Sequence, residues 1–134
     1  MLRLPLDSII YMGRNNAIGR WGEEMATEYL ITKGYTVVER NVRLGHNEID
    51  IIAIKDNRII FAEVKTRTEE SEDLRDVIDL RKKQHLCNAT EAYIRMKKVP
   101  HAPQIDIIIV IGTPDTEYKI QHYPDAFRPP LRSR

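Results

Sequence analysis

Apolar positions along this chain change period several times, and each change predicts an element. From Asn15 or Asn16, either of which can cap a helix, Ile18, Trp21, Gly22, Met25, Ala26, Tyr29 and Leu30 recur at helical spacing. Gly34, after Lys33, is the expected stop. YTVVERN (35–41) reads as a first strand feeding a short turn around Arg43–Asn47. Two runs rich in Ile, Val and Phe follow, EIDIIAIK and RIIFAEVK, separated by Asp56-Asn57, a pair that tolerates the left-handed backbone of a tight hairpin. TRTEESED has no apolar period and predicts a polar loop. A second helix is expected from about Leu80 to Lys97, capped by Asp79, with Leu86, Ala89, Ala92, Tyr93 and Met96 on its apolar side. QIDIIIVIG (104–112) is almost continuously apolar, as in a strand covered on both faces. TPDT makes a turn and EYKIQHY a last, alternating strand. The order is α-β-β-β-α-β-β, an α/β mixed sheet covered by helices.

If Lys55 pairs with Arg58, Asp50 lies opposite Glu63 and Glu48 opposite Lys65, with Ile49, Ile51, Ala62 and Val64 on the other, apolar face. Like charges facing each other on a sheet are destabilising by up to about 1 kcal/mol. A proton, a basic neighbour or a bound cation relieves such a pair, and carboxylates with an open aqueous side suit Mg²⁺. The alternative is a solvated face on which Lys65 neutralises both acids. Glu23 sits about 20° from Leu30 around the first helix, at the edge of its apolar stripe. On its own it reads as a surface partner for a basic group such as Arg20. Gly19 and Gly22 each cost about 1 kcal/mol relative to Ala inside a helix, which suggests close approach by a backbone or ligand.

Composition narrows the class. The 134 residues suffice for one domain with one core. The expected organisation is a weakly ordered segment 1–14, a single domain 15–127 and a basic tail 128–134. No apolar run nears the ~20 residues of a membrane span, MLRLPLDSII is too interrupted for a secretory signal, and the lone Cys87 fits a reducing, cytoplasmic setting. Zinc is disfavoured, since four His and one Cys show none of its usual spacings. Net charge is only +1, yet Arg75 to Lys98 holds seven Lys or Arg against three acids. Arg81, Lys82 and Lys83 at a helix start oppose the macrodipole, a hint of an anionic ligand. Such a run is also what an ordinary solvated face looks like.

Several motifs occur together in order. Gly19-x-x-Gly22-Glu23, Arg40-Asn41-x-Arg43, Glu48-Ile49-Asp50-Ile51-Ile52 and Phe61-x-Glu63-Val64-Lys65-Thr66-Arg67 are followed by Lys82, Ala89 to Ile94, Ile105-Asp106 and Ala126-Phe127. Over roughly 13–127 this combination resembles the bacterial YraN family. Its members look like the restriction-endonuclease-like superfamily with its PD-(D/E)xK signature, and are especially similar to archaeal Holliday-junction resolvases. The resemblance implies a three-layer core in which Asp50, Glu63 and Glu23 bind Mg²⁺ or Mn²⁺ and act with Lys65 as the catalytic set. It further implies that Arg43, Arg67, Arg81, Lys82 and Lys83 grip nucleic acid, with DNA as the expected partner. Glu48 and His46 would be supporting residues, although a solvent-facing turn suits His46 better. Ile49 replaces the proline of the signature, and Asn47 stands where many members carry Gly, in a left-handed turn Asn can also adopt.

The implied chemistry is structure-selective hydrolysis or binding of phosphodiesters, because phosphate contacts position a backbone without reading sequence. A catalytically silent nucleic-acid-binding module and a protein adaptor with the same fold are the alternatives. Resolvase-like pairing as a homodimer would use 105–111 as an interface, though the core is the preferred place for that strand. No membrane partner is expected.

Overall fold

The computed structural model describes residues 14–69 and 80–128. The helix cap at Asp79, most of the acidic loop, the N-terminal segment before Arg14 and the basic tail after Arg128 lie outside the described residues. In chain order the elements are α1 (Arg14–Thr32), β1 (Thr36–Leu44), β2 (Asn47–Lys55), β3 (Arg58–Arg67), α2 (Leu80–Lys97), β4 (Ala102–Ile111) and β5 (Lys119–Phe127). This is the order expected from the changing period.

One mixed sheet contains all five strands in the order β1-β2-β3-β4-β5. Neighbours joined by short connections, β1–β2, β2–β3 and β4–β5, run antiparallel. β3 and β4 run parallel, with α2 between them in sequence, because a parallel pair needs a long crossover. The helices cover opposite faces, giving a three-layer α/β arrangement. Met25, Ala26 and Leu30 of α1 pack on Ile51, Ala62, Ile108 and Val110. Ala89 and Tyr93 of α2 pack on Ile49, Ile52, Ile59 and Phe61, and Leu86 packs on Ile107, Ile109 and Ile111. Successive isoleucines of β4 thus serve both layers, which is why its sequence shows no polar alternation.

Several boundaries differ from the sequence reading. β1 continues to Leu44 because Val42 and Leu44 find cover on the α2 side. The following turn shrinks to Gly45-His46, and Gly45, at φ 65°, takes the left-handed position while Asn47 pairs with Leu44. β3 keeps Thr66 and Arg67, whose partners are Val110 and Ile111. β5 runs on to Phe127 past a register shift opposite Ile105–Ile107. On α2 the buried face includes Cys87 and Thr90, whereas Met96 is 57% exposed.

Candidate functional site

The β2–β3 hairpin has the expected register from Lys55–Arg58 to Ile51–Ala62, with Asp56 at φ 55° in its turn. There the ladder stops. On its other edge β2 pairs Ile51 with Arg40 and Ile49 with Val42, but skips Asp50 and Asn41 between them. Asn41 has φ 53°, a left-handed conformation that Asn tolerates better than most residues. Side-chain alternation breaks at this step. Ile51, Ala62 and Val64 lie on the α1 side, whereas Ile49 lies on the α2 side with Ile52 and Phe61. Ile49 therefore does not share a face with Ile51, as strict alternation had predicted.

Asp50 occupies the break. Its Oδ2 accepts a 2.8 Å hydrogen bond from the Val64 N–H. The expected facing pairs Asp50–Glu63 and Glu48–Lys65 are absent from the ladder, and Glu48 instead pairs with Arg43 across β1–β2. Glu63 is 3% exposed. Its Oε1 lies 3.6 Å from Lys65 Nζ and 3.4 Å from Lys82 Nζ. Its Oε2 is buried with no hydrogen-bond partner. A carboxylate oxygen left in that state is costly.

The electrostatics follow from this burial. Desolvation, and then the nearby Asp50, push the Glu63 carboxyl up to about 7 against the pull of Lys82 and Lys65. Desolvation also raises Asp50, with Glu48 adding to it and the Val64 hydrogen bond, Lys82 and Lys65 opposing. Glu23 is raised by desolvation and then by Asp50, against Arg40 and Asn41. Arg40 Nη2 bridges Glu23 Oε1 at 3.3 Å and Glu24 Oε1 at 2.8 Å. The partner of Glu23 is thus Arg40 on the facing strand, not Arg20 of its own helix.

Among the described residues no three His, Cys, Asp or Glu side chains stand close enough together to hold a cation unaided. The donors present still suit a hard divalent ion. Asp50 and Glu63 offer oxygens, the buried Oε2 of Glu63 has no hydrogen-bond partner, and Mg²⁺ typically keeps several waters beside one or two carboxylates. Glu23 stands at the edge of this group, tied to Arg40.

The cationic candidates divide. Lys65 and Lys82 join the carboxylates. Lys83 Nζ lies 5.5 Å from the centroid of the Phe127 ring, so part of the basic helix start is spent on packing. Arg81, Arg43, Glu48 and His46 are exposed. Arg67 lines a cleft of about 480 Å³ with Ile18, Gly19, Val64, Lys65, Thr66 and Thr68, next to the carboxylates. Of the two helix glycines, Gly22 is the one a neighbour requires: a Cβ there would stand 2.0 Å from Thr66 Oγ1. A Cβ on Gly19 would meet nothing within 4 Å, which leaves that side of the cleft open.

Arg40 and Asn41 were visible only as part of a motif, without a role. Their position opposite Asp50 and beside Glu23 emerges from the β1–β2 register. A second polar group was also missed. Asp106, fully buried, receives His122 Nε2 at 2.7 Å, Gln104 Nε2 at 2.9 Å and the Asp125 N–H at 2.9 Å, while Tyr29 Oη lies 3.0 Å from His122 Nδ1. Its sequence signals were one polar residue in the apolar run of β4 and the Ile105-Asp106 motif, to which no role was attached.

Comparison with known proteins adds one consistent result. A family model described as "Uncharacterised protein family UPF0102" matches residues 22–110. A UPF0102 protein of Bacteroides thetaiotaomicron is 37% identical over 121 residues, covering 90% of this chain and 99% of the relative. One from Parabacteroides distasonis is 38% identical over 122 residues, covering 90% and 100%. One from Caldanaerobacter subterraneus subsp. tengcongensis is 37% identical over 114 residues, covering 82% and 93%. The matched span contains Glu23, Asp50, Glu63, Lys65 and Lys82.

Proposed function

This chain belongs to the uncharacterised protein family UPF0102, the YraN family, and we propose that it is a metal-dependent, nuclease-like protein that binds and hydrolyses DNA phosphodiesters by structure and not by sequence. No helix among the described residues is long and apolar enough to cross a membrane. The cytoplasm is the proposed compartment.

The observation that carries this reading is the buried, unbonded Oε2 of Glu63 beside Asp50, with Lys65 Nζ 3.6 Å from the same carboxylate. Asp50 and Glu63 would hold Mg²⁺ or Mn²⁺, helped by the Val64 carbonyl, and Glu23 would contribute through water. A divalent cation supplies charge stabilisation at the attacked phosphate and a lowered pKa for the attacking water. Lys65 orients that water or stabilises the phosphate oxygen, roles that need a donor in reach of both. Lys82, whose Nζ lies 3.4 Å from the same Glu63 Oε1, favours the charged form of that carboxylate against the effect of burial. Arg67 and the exposed Arg81 contact flanking phosphates, which sets position without reading bases.

The test is cleavage of duplex, flap, single-stranded and four-way DNA in Mg²⁺, Mn²⁺ and EDTA. Metal-dependent cutting by the wild type that disappears in Glu63→Ala and Lys65→Ala is the expected result. Cutting that survives EDTA, or survives both substitutions, sinks the reading. One observation favours a second reading, a silent nucleic-acid-binding module: two lysines already lie within 3.6 Å of Glu63 Oε1 and neutralise it without a cation. Binding without cutting would support that module, and absence of binding at low salt would leave a protein adaptor.

A further inference from the structure

Past Ala62, β3 has a free edge among the described residues. The β2–β3 ladder stops at Ile51–Ala62, while pairing with β4 continues unbroken to Arg67–Ile111. Successive residues of a strand turn their main-chain N–H and C=O to opposite edges, and two bonds fix which residue faces which way. The Gly112 N–H donates to the Arg67 carbonyl at 2.8 Å, so Arg67 faces β4. The Val64 N–H donates to Asp50 Oδ2, on the β2 side. Thr66, two residues past Val64, therefore turns its N–H and C=O to the free edge. The cleft that Val64, Lys65, Thr66, Arg67 and Thr68 line with Ile18 and Gly19 runs along it.

The two main-chain groups of Thr66 are in different states. Its carbonyl accepts Arg67 Nη1 at 3.1 Å. By strand alternation the Arg67 side chain leaves β3 on the α2 side, so it curls back to the edge to make this bond. The Thr66 N–H has no acceptor among the described residues. A bare N–H and C=O together would be a template for another strand. With the carbonyl covered, the edge presents donors alone. An extended peptide needs both groups, whereas a phosphate oxygen needs only donors.

We propose that the Thr66 main-chain N–H and the Arg67 guanidinium form a phosphate subsite on the free edge of β3, taken by the phosphate next to the attacked one. This rests on the nuclease-like reading above and adds a second point at which the same DNA strand is held. Sheet edges that present N–H groups can bind anions. A guanidinium carries five N–H donors, so Arg67 keeps others for the ligand while one holds the Thr66 carbonyl. Two residues of strand advance roughly 7 Å. The Thr66 donor thus lies one such step beyond the Val64 N–H and its Asp50 partner, comparable to the step between neighbouring phosphates of a strand. The direction of the N–H is preset, because Thr66 Oγ1 packs where a Cβ on Gly22 would stand. Across the cleft, Gly19 leaves open space. A main-chain donor meets phosphate oxygens and no base, which is how contacts position a strand without reading it.

The experiment follows the main-chain amide signals of the ¹⁵N-labelled chain by nuclear magnetic resonance at low salt. One titration uses inorganic phosphate in EDTA. The other uses a short flap DNA in Ca²⁺, a cation with the same oxygen preference as Mg²⁺. The Thr66 amide should move downfield and saturate with each probe, and chloride at equal ionic strength should leave it in place. Arg67→Ala should weaken phosphate binding by about fivefold or more, as expected for loss of a charged donor. A Thr66 amide that stays in place with either probe, while other amides report bound DNA, overturns the subsite and leaves the nuclease-like reading standing. Phosphate binding undiminished in a folded Arg67→Ala also overturns the subsite, and the wild-type titrations decide the matter if that variant does not fold. DNA that perturbs no amide anywhere overturns the nuclease-like reading and the subsite with it.

Discussion

Asp50 stands in for a backbone acceptor: its carboxylate takes the Val64 N–H at 2.8 Å where the β2–β3 ladder ends. One side chain thus closes a gap in the sheet and contributes charge to the candidate site. The two tasks separate by substitution. Asp50→Asn keeps an oxygen for Val64 and should cost less than Asp50→Ala, which leaves a poorly solvated N–H unpaired at about 1–3 kcal/mol. Urea unfolding of both variants measures the difference. Mg²⁺ or Mn²⁺ should raise the melting temperature of the wild type and of neither variant. A full cation-dependent shift in Asp50→Asn would remove Asp50 from the ligand set.

Glu63 predicts a pH dependence of stability. Its carboxyl is raised from 4.5 to about 7 in the folded chain, mainly by burial and then by Asp50. Between these values the folded state holds a proton that the unfolded chain has released. The stabilising contribution is therefore complete below pH ~4.5 and is lost as pH rises through about 7. Glu63→Gln, which imitates the protonated form, should flatten the fall in stability across that window by as much as a few kcal/mol. A cation competing for the same oxygens displaces the proton, so Mg²⁺ should stabilise the wild type more at pH 8 than at pH 6. Denaturation curves at several pH values, with and without Mg²⁺, check both statements. An unchanged slope in Glu63→Gln would contradict the first.

The two glycines of α1 should respond in opposite directions. At Gly22 a methyl group would sit 2.0 Å from Thr66 Oγ1 and 3.2 Å from Thr66 Cβ, so α1 or β3 must shift. Gly22→Ala should cost about 1–3 kcal/mol, in the range of core overpacking. Gly22→Ala combined with Thr66→Ala, which removes the Oγ1 and Cγ2 contacts, should recover most of the loss in a double-mutant cycle. Gly19 has empty space at the same distance, and Gly19→Ala should add about 0.5–1 kcal/mol of stability by restricting the unfolded chain.

What the sequence made legible was local. The hairpin register followed from a polar pair between two apolar runs, and the extent of α2 from its period; both appear in the structure. The breakdown at Asp50 was hidden because alternation assumes an unbroken ladder. It depends on a left-handed Asn41 in one strand and a carboxylate replacing a main-chain acceptor in another. The link from Glu23 to Arg40 spans 17 residues and two elements, beyond what helical spacing can show. Lys82 was singled out as a positive charge at a helix start, but its proximity to Glu63 required the crossover of α2 onto that side of the sheet. Lys83, identical in the pattern, packs on Phe127 because a one-residue step turns a helix by about 100°.

The last prediction concerns the polar group under β5. Asp106 is fully buried and accepts from Gln104, from the Asp125 N–H and from His122, whose other nitrogen meets the Tyr29 hydroxyl. With a neutral ring, His122 donates through Nε2 and accepts from Tyr29 through Nδ1, so one tautomer satisfies both neighbours. The chain of contacts fastens α1 to β4 and β5. Asp106→Ala strips acceptors from three donors and should cost about 3–5 kcal/mol. Tyr29→Phe removes one hydrogen bond at the outer end and should cost about 1 kcal/mol. Because His122 connects them, the two losses should be less than additive, with a coupling of at least about 0.5 kcal/mol in a double-mutant cycle by chemical denaturation. Strict additivity would show that the Tyr29 and Asp106 contacts to His122 are energetically independent.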